Sequence, residues 1–183
     1  FMLPHSIIAV SIGTAYFTQL SEHAVAGRFD EVRSDVSSSI RVLSMFMVIG
    51  TVAIAIAAVP ASRIFTNGPS GAFEMALVLW AYLVGLVPFA ALFVVQRTFY
   101  ALGDTRTPFF FTLFQCTLVV ITALLAALLP PQYIAIGVAL GQSIAGTAQA
   151  LLAAWLLKRR LGHIGARRIL GSLVRFALAA VPA

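Results

Sequence analysis

Long apolar runs separated by short polar stretches dominate the chain. Five are long enough to cross a bilayer, which takes about 20 mostly apolar residues. They cover roughly 3–20, 42–59, 72–95, 109–129 and 134–157, and a sixth, 169–183, is cut short by the end of the sequence. The first run is the most polar, with Ser11, Thr14 and Thr18 at spacings of three and four. The second is stopped by Pro60, the third contains Glu74 near its start and Pro88 inside, and Pro130-Pro131 ends the fourth. The runs are continuous, whereas a lipid-facing barrel strand alternates with a period of two, so the expected fold is all-α. It is a polytopic transmembrane helix bundle of five complete spans plus the start of a sixth.

Between the first and second spans lies a polar stretch, residues 21–41. Within it Phe29, Val32, Val36 and Ile40 recur at helical spacing, with Arg28, Asp30, Glu31, Arg33 and Asp35 between them. This pattern predicts an amphipathic helix in a cytoplasmic loop, running into span 2 and resting on the lipid headgroups.

Composition sharpens the picture. Of 183 residues, 61% are hydrophobic and 10% charged, and the mean hydropathy is +1.00. A compact soluble domain carries about a quarter charged residues, so a soluble enzyme is excluded. The net charge of +6 does not signal nucleic acid, because the arginines punctuate apolar runs without forming a face. Their distribution sets orientation instead. The loops after spans 1, 3 and 5 hold Arg28, Arg33, Arg41, Arg97, Arg106, Lys158, Arg159, Arg160, Arg167 and Arg168; the opposite side holds Arg63. Odd spans are therefore expected to end in the cytoplasm. The absence of a start methionine and the apolar C-terminal end make the chain read as a piece of a longer protein.

Chemistry is sparse. His5, His23 and His163 are scattered, and with the single Cys116 they form no metal-ligand spacing. No P-loop, dinucleotide loop or nucleophile elbow is present, so neither cofactor nor metal is expected and the chain reads as a non-enzyme. Gly137 and Gly141, with Ala145 and Ala148, make a small-residue face for close helix packing, and Gln142 and Gln149 read as interhelical hydrogen-bonding residues. The informative segment is Arg97-Thr98-Phe99-Tyr100-Ala101-Leu102-Gly103-Asp104-Thr105-Arg106-Thr107-Pro108. Gly103 suits a helix end, Asp104, Thr105 or Thr107 a helix cap, and Pro108 a first helical turn. Arg97 and Arg106 can pair with Asp104 and hold the corner, or receive an anionic headgroup, since guanidinium binds phosphate bidentately.

That segment resembles the arginine–phenylalanine–tyrosine–alanine–leucine–glycine–aspartate–threonine–basic–threonine–proline signature of the MurJ/MviN family of lipid II flippases. A second stretch, Leu3-Pro4-His5-Ser6-Ile7-Ile8-Ala9-Val10-Ser11-Ile12-Gly13-Thr14-Ala15 followed by Gln19-Leu20-Ser21, is similar to a span of the same family. The family carries proline shortly before that leucine–serine, where this chain has Thr18-Gln19. The resemblance implies a fourteen-span protein of two lobes in the bacterial cytoplasmic membrane, of which residues 1–183 are the C-terminal lobe. It also implies translocation of undecaprenyl-diphosphate-linked lipid II by alternating access, with cell-wall synthesis proteins as possible partners. The substrate-binding candidates are Arg97 and Arg106, with Ser11, Thr14 and Thr18 as a polar stripe facing the cavity. Gly103, Asp104 and Pro108 form the structural corner. The competing expectations are export of another polyprenyl-linked glycan or of drugs, and a membrane scaffold that transports nothing.

Overall fold

The computed structural model describes residues 10–66, 68–162 and 171, with side chains from Tyr16 onward. The described residues form six helices: α1 (Val10–Val25), α2 (Phe29–Phe65), α3 (Pro69–Leu83), α4 (Leu86–Ala101), α5 (Arg106–Ala126) and α6 (Pro131–Leu161). The first residues of the expected first span and the expected sixth span, 169–183, lie outside them. Four segments are long and apolar enough to cross a membrane: α2, the α3–α4 pair taken together, α5 and α6. The described part of the first span, α1, has 16 residues.

Three features of the helices have physical causes. As expected, residues 29–41 are helical and run into the second span. They are the first turns of α2, a 37-residue rod about 55 Å long at 1.5 Å per residue, which outreaches the roughly 30 Å hydrocarbon layer. Its projecting stripe, Val32, Val36 and Ile40, is buried in the bundle core, Val32 and Val36 completely. The apolar face covers protein and not headgroups; of the four stripe positions Phe29 alone is exposed.

Pro60 does not stop α2, which continues to Phe65. Proline removes the amide that would serve the Ile56 carbonyl. In the same turn the Trp80 indole N–H of α3 donates to the Ala55 carbonyl at 3.0 Å. A neighbouring helix thus donates to the carbonyl next to the one that Pro60 leaves without its ladder donor.

The third span is broken in the middle. Pro88 offers no N–H to the Val84 carbonyl, and the Gly85 amide turns to the Tyr82 carbonyl, 3.1 Å away. This orphans the Ala81 carbonyl, whose helical donor Gly85 would have been. Ser143 of α6 fills the gap, its hydroxyl donating to Ala81 at 2.7 Å. Gly85 is required by the close approach: a Cβ there would lie 3.0 Å from the Ser143 Cα and 3.0 Å from its Oγ.

Helix α6 packs on α3, α4 and α5, while α2 packs on α1, α3 and α4. The core between them is built from Leu43, Met47, Leu86, Val95, Phe99, Phe111 and Leu157. Helix α5 is the outer element, leaning on α6 and exposing Phe109, Phe110, Leu113 and Leu124. Gly137 and Gly141 face α5: a Cβ on Gly141 would stand 2.7 Å from the Thr122 side chain. Gly141→Leu is expected to push α5 off α6 and to destabilise the fold by about 1–3 kcal/mol. Thr122→Ala should return part of that loss in the double variant; SDS-induced unfolding in mixed micelles measures both.

Candidate functional site

Helix α4 ends in a tight corner in which backbone amides and the Asp104 carboxylate are closely paired. The Gly103 amide donates to Tyr100 at 3.0 Å and the Asp104 amide to Phe99 at 2.9 Å, the paired bonds that close a helix around a left-handed residue. Gly103 takes φ 71°, a conformation that costs glycine little and other residues much. The next residue opens α5. Asp104 Oδ1 accepts the amides of Arg106 and Thr107 at 3.1 and 3.0 Å, and Oδ2 accepts the Thr107 hydroxyl at 2.8 Å. Pro108 is buried, and Phe99 packs against Phe111 with ring centroids 6.0 Å apart, pinning the corner to the core.

The cation paired with Asp104 is Arg160, from the last turn of α6. Neither Arg97 nor Arg106 makes the pair that their proximity in sequence suggested. The reason is reach across the fold: the corner lies beside the C-terminal end of α6. The Thr107 amide, its hydroxyl, the Arg160 charge and the Arg106 amide together hold the Asp104 carboxyl below its ordinary value of 3.8, outweighing the opposing effect of burial.

Arg97 goes elsewhere. Its guanidinium lies 5.3 Å from the Phe17 ring of α1 and 5.1 Å from the Phe93 ring one turn back. No carboxylate or hydrogen-bond acceptor among the described residues engages it. The two rings stabilise the cation by about 1 kcal/mol while leaving N–H donors unspent. The adjoining cleft between α1, α2 and α4, lined by Tyr16, Leu20, Val36 and Ser39, has a volume of about 10 Å³. That admits about one water molecule, not a phosphate. Arg106 is exposed, as is Thr18. The side chains of Ser11 and Thr14 lie outside the described residues. Among the described residues the structure therefore brings Arg97 near the end of α1, while Arg106 and Thr18 stand exposed.

A charged joint that the sequence did not suggest lies close by. His23 near the end of α1 places Nδ1 2.7 Å from Asp35 and Nε2 3.0 Å from Glu31, both on α2. Arg28 joins Glu31 at 3.0 Å. Both histidine contacts can be hydrogen bonds at once only with the ring protonated. Helical spacing of Glu31 and Asp35 was the available signal; a histidine eight residues upstream carried none until the chain reversed at Gly27. Asp104 with Arg160, His23 with α2 and Arg97 with Phe17 gather the ends of α1, α4 and α6 and the starts of α2 and α5 at one end of the bundle. The described basic residues after spans 1, 3 and 5 therefore share a side.

The model of the family described as "Lipid II flippase MurJ" matches residues 1–183. The chain belongs to the MurJ lipid II flippase family. A solved structure, "Lipid II flippase MurJ, inward closed conformation", superposes with a TM-score of 0.77 at 21% sequence identity. It covers 98% of this chain, which spans 36% of that protein's length. At that identity the likeness shows the fold. No curated protein sequence matches the chain.

Asp104→Ala is expected to cost about 1–2 kcal/mol, the worth of a helix cap. The pH response has a definite sign. Because the native carboxyl sits below its ordinary value, its contribution is complete above that value and is lost as the pH falls through the native one. Thermal melts in detergent between neutral and strongly acidic pH should show the wild type losing this increment on acidification, and Asp104→Asn lacking it.

Proposed function

We propose that this MurJ-family chain works within a flippase that carries lipid II, an undecaprenyl-diphosphate-linked disaccharide peptide, across the bacterial cytoplasmic membrane by alternating access. The match of the family model along the whole chain carries this reading. The cargo has to take a diphosphate past hydrocarbon, where a bare charge costs several kcal/mol unless cations or dipoles meet it. Arg97 suits that task at the cytoplasmic mouth. Two rings hold its guanidinium in place, its donors are uncommitted, and the planar fork matches phosphate oxygens.

On this reading Arg106 is an outer attraction site for the same headgroup, exposed beyond the corner. Ser11, Thr14 and Thr18 form the hydroxyl stripe of α1 along the path. The narrow cleft beside Arg97 has to widen before a headgroup enters, which assigns Arg97 to first contact and not to enclosure. Gly103, Asp104 and Pro108 keep the corner rigid, so that motion is confined to other joints. No covalent bond is made in the cycle.

Reconstitution of the full-length protein in liposomes with labelled lipid II tests the proposal. Arg97→Gln is expected to slow translocation about ten-fold or more, the effect of roughly 1.4 kcal/mol. Arg97→Lys should recover part of the rate, since ammonium keeps the charge and loses the fork. Wild-type rates for Arg97→Gln would remove Arg97 from the path. Continued peptidoglycan synthesis after depletion, in cells lacking any other flippase, would overturn the function itself.

A further inference from the structure

Midway along the third membrane-crossing segment the chain leaves helical geometry. Gly85 is equidistant from Pro69 and Ala101, the ends of that 33-residue segment. Around it lies a cavity of about 40 Å³ lined by Tyr82, Gly85, Phe89, Gln115, Gln142 and Ser143. Gln115 stands near the middle of α5 and Gln142 near the middle of α6. No lining side chain carries a formal charge at neutral pH. Among the described residues neither glutamine amide has a hydrogen-bonding partner, although Gln142 was expected to bridge helices. Gln149, by comparison, reaches Thr112 at 3.4 Å, and Ser143 is committed to the Ala81 carbonyl.

Amides left without partners in hydrocarbon cost several kcal/mol each, and irregular backbone at membrane depth persists only where it meets protein or water. The size of the cavity selects the occupant. A water molecule needs about 10–15 Å³ by the same measure, so the space suits roughly three. The absence of charge in the lining disfavours an ion, while two amides and the disturbed backbone offer each water its two to four partners.

We propose that the Val84-Gly85 break, Gln115 and Gln142 form an uncharged site in the middle of the membrane that holds a small cluster of water molecules. The waters satisfy the two amides and solvate the break, so that α3 and α4 can change their mutual angle without orphaning backbone groups in lipid. This deepens the transport reading by naming where the lobe bends. The site itself rests only on the helices crossing a membrane, so the two can fail separately.

Thiol chemistry supplies the test, because the reactive thiolate forms only where water reaches. The natural Cys116 follows Gln115 on α5 and is exposed on the outer surface of the bundle. In the full-length protein in native membranes, with Cys116→Ser as background, Gln115→Cys and Gln142→Cys are to be treated with a small thiosulfonate reagent. The controls are the natural Cys116 and Ile144→Cys, at another outward position. Reaction about ten-fold or more faster at the two cavity positions than at the controls is expected. Reaction no faster than the controls overturns the site.

Radiolytic hydroxyl labelling of the unaltered protein removes any dependence on the variants folding. Tyr82 and Phe89 in the lining are expected to be oxidised, while Phe110 and Phe114, exposed on α5, are not. Protection of Tyr82 and Phe89 would overturn the site. If lipid II transport persists in that case, the flippase reading survives without it.

Discussion

A chain in hydrocarbon has no water to receive its backbone, so every N–H and C=O has to find a partner inside the protein. This constraint decides where the fold is allowed to be irregular. At the broken third span a serine two helices away along the chain supplies the missing donor to Ala81, and a glycine lets that serine come close enough. Beside Pro60 the donor is the Trp80 indole, directed at Ala55. At the α4–α5 corner, Gly103 and Asp104 complete the end of one helix and the start of the next within a few residues.

The same constraint separates the rigid parts of the molecule from those able to move. The corner is over-determined: two helix-closing bonds, a carboxylate cap, an inter-helix ion pair and a pair of buried rings act on eight residues. The break at Gly85 has one serine bond and a small uncharged cavity. On the transport reading proposed above, fixed joints keep the helices in register and solvated ones bend. The His23 cluster is a third kind, tying the end of α1 to the start of α2 through Asp35 and Glu31.

Much of this was legible in the chain. The apolar runs announced membrane-crossing helices because length and continuity alone separate them from soluble helices and barrel strands. The arginine-rich loops announced a common side, and the structure gathers them at one end. The residue types at the corner announced a glycine-ended helix followed by a capped one, since both signals are local in sequence. Gly137 and Gly141 announced close helix contact for the same reason; the structure identifies α5 as the helix that approaches.

Tertiary structure decided what depends on distant neighbours. The partner of Asp104 is Arg160 and not the adjacent arginines, because the packing of α6 on α4 and α5 places its last turn over the corner. The stripe of Val32 and Val36 is buried because α2 continues past the membrane with protein around it, a fact that amphipathic spacing cannot distinguish from a helix lying on lipid. Pro60 is passed and Pro88 is not, although each removes one amide. The outcome turns on which neighbouring donor stands beside each proline and on Gly85, three residues before the second. Local sequence sets propensities over one or two turns, and whether a backbone group is orphaned depends on helices dozens of residues away.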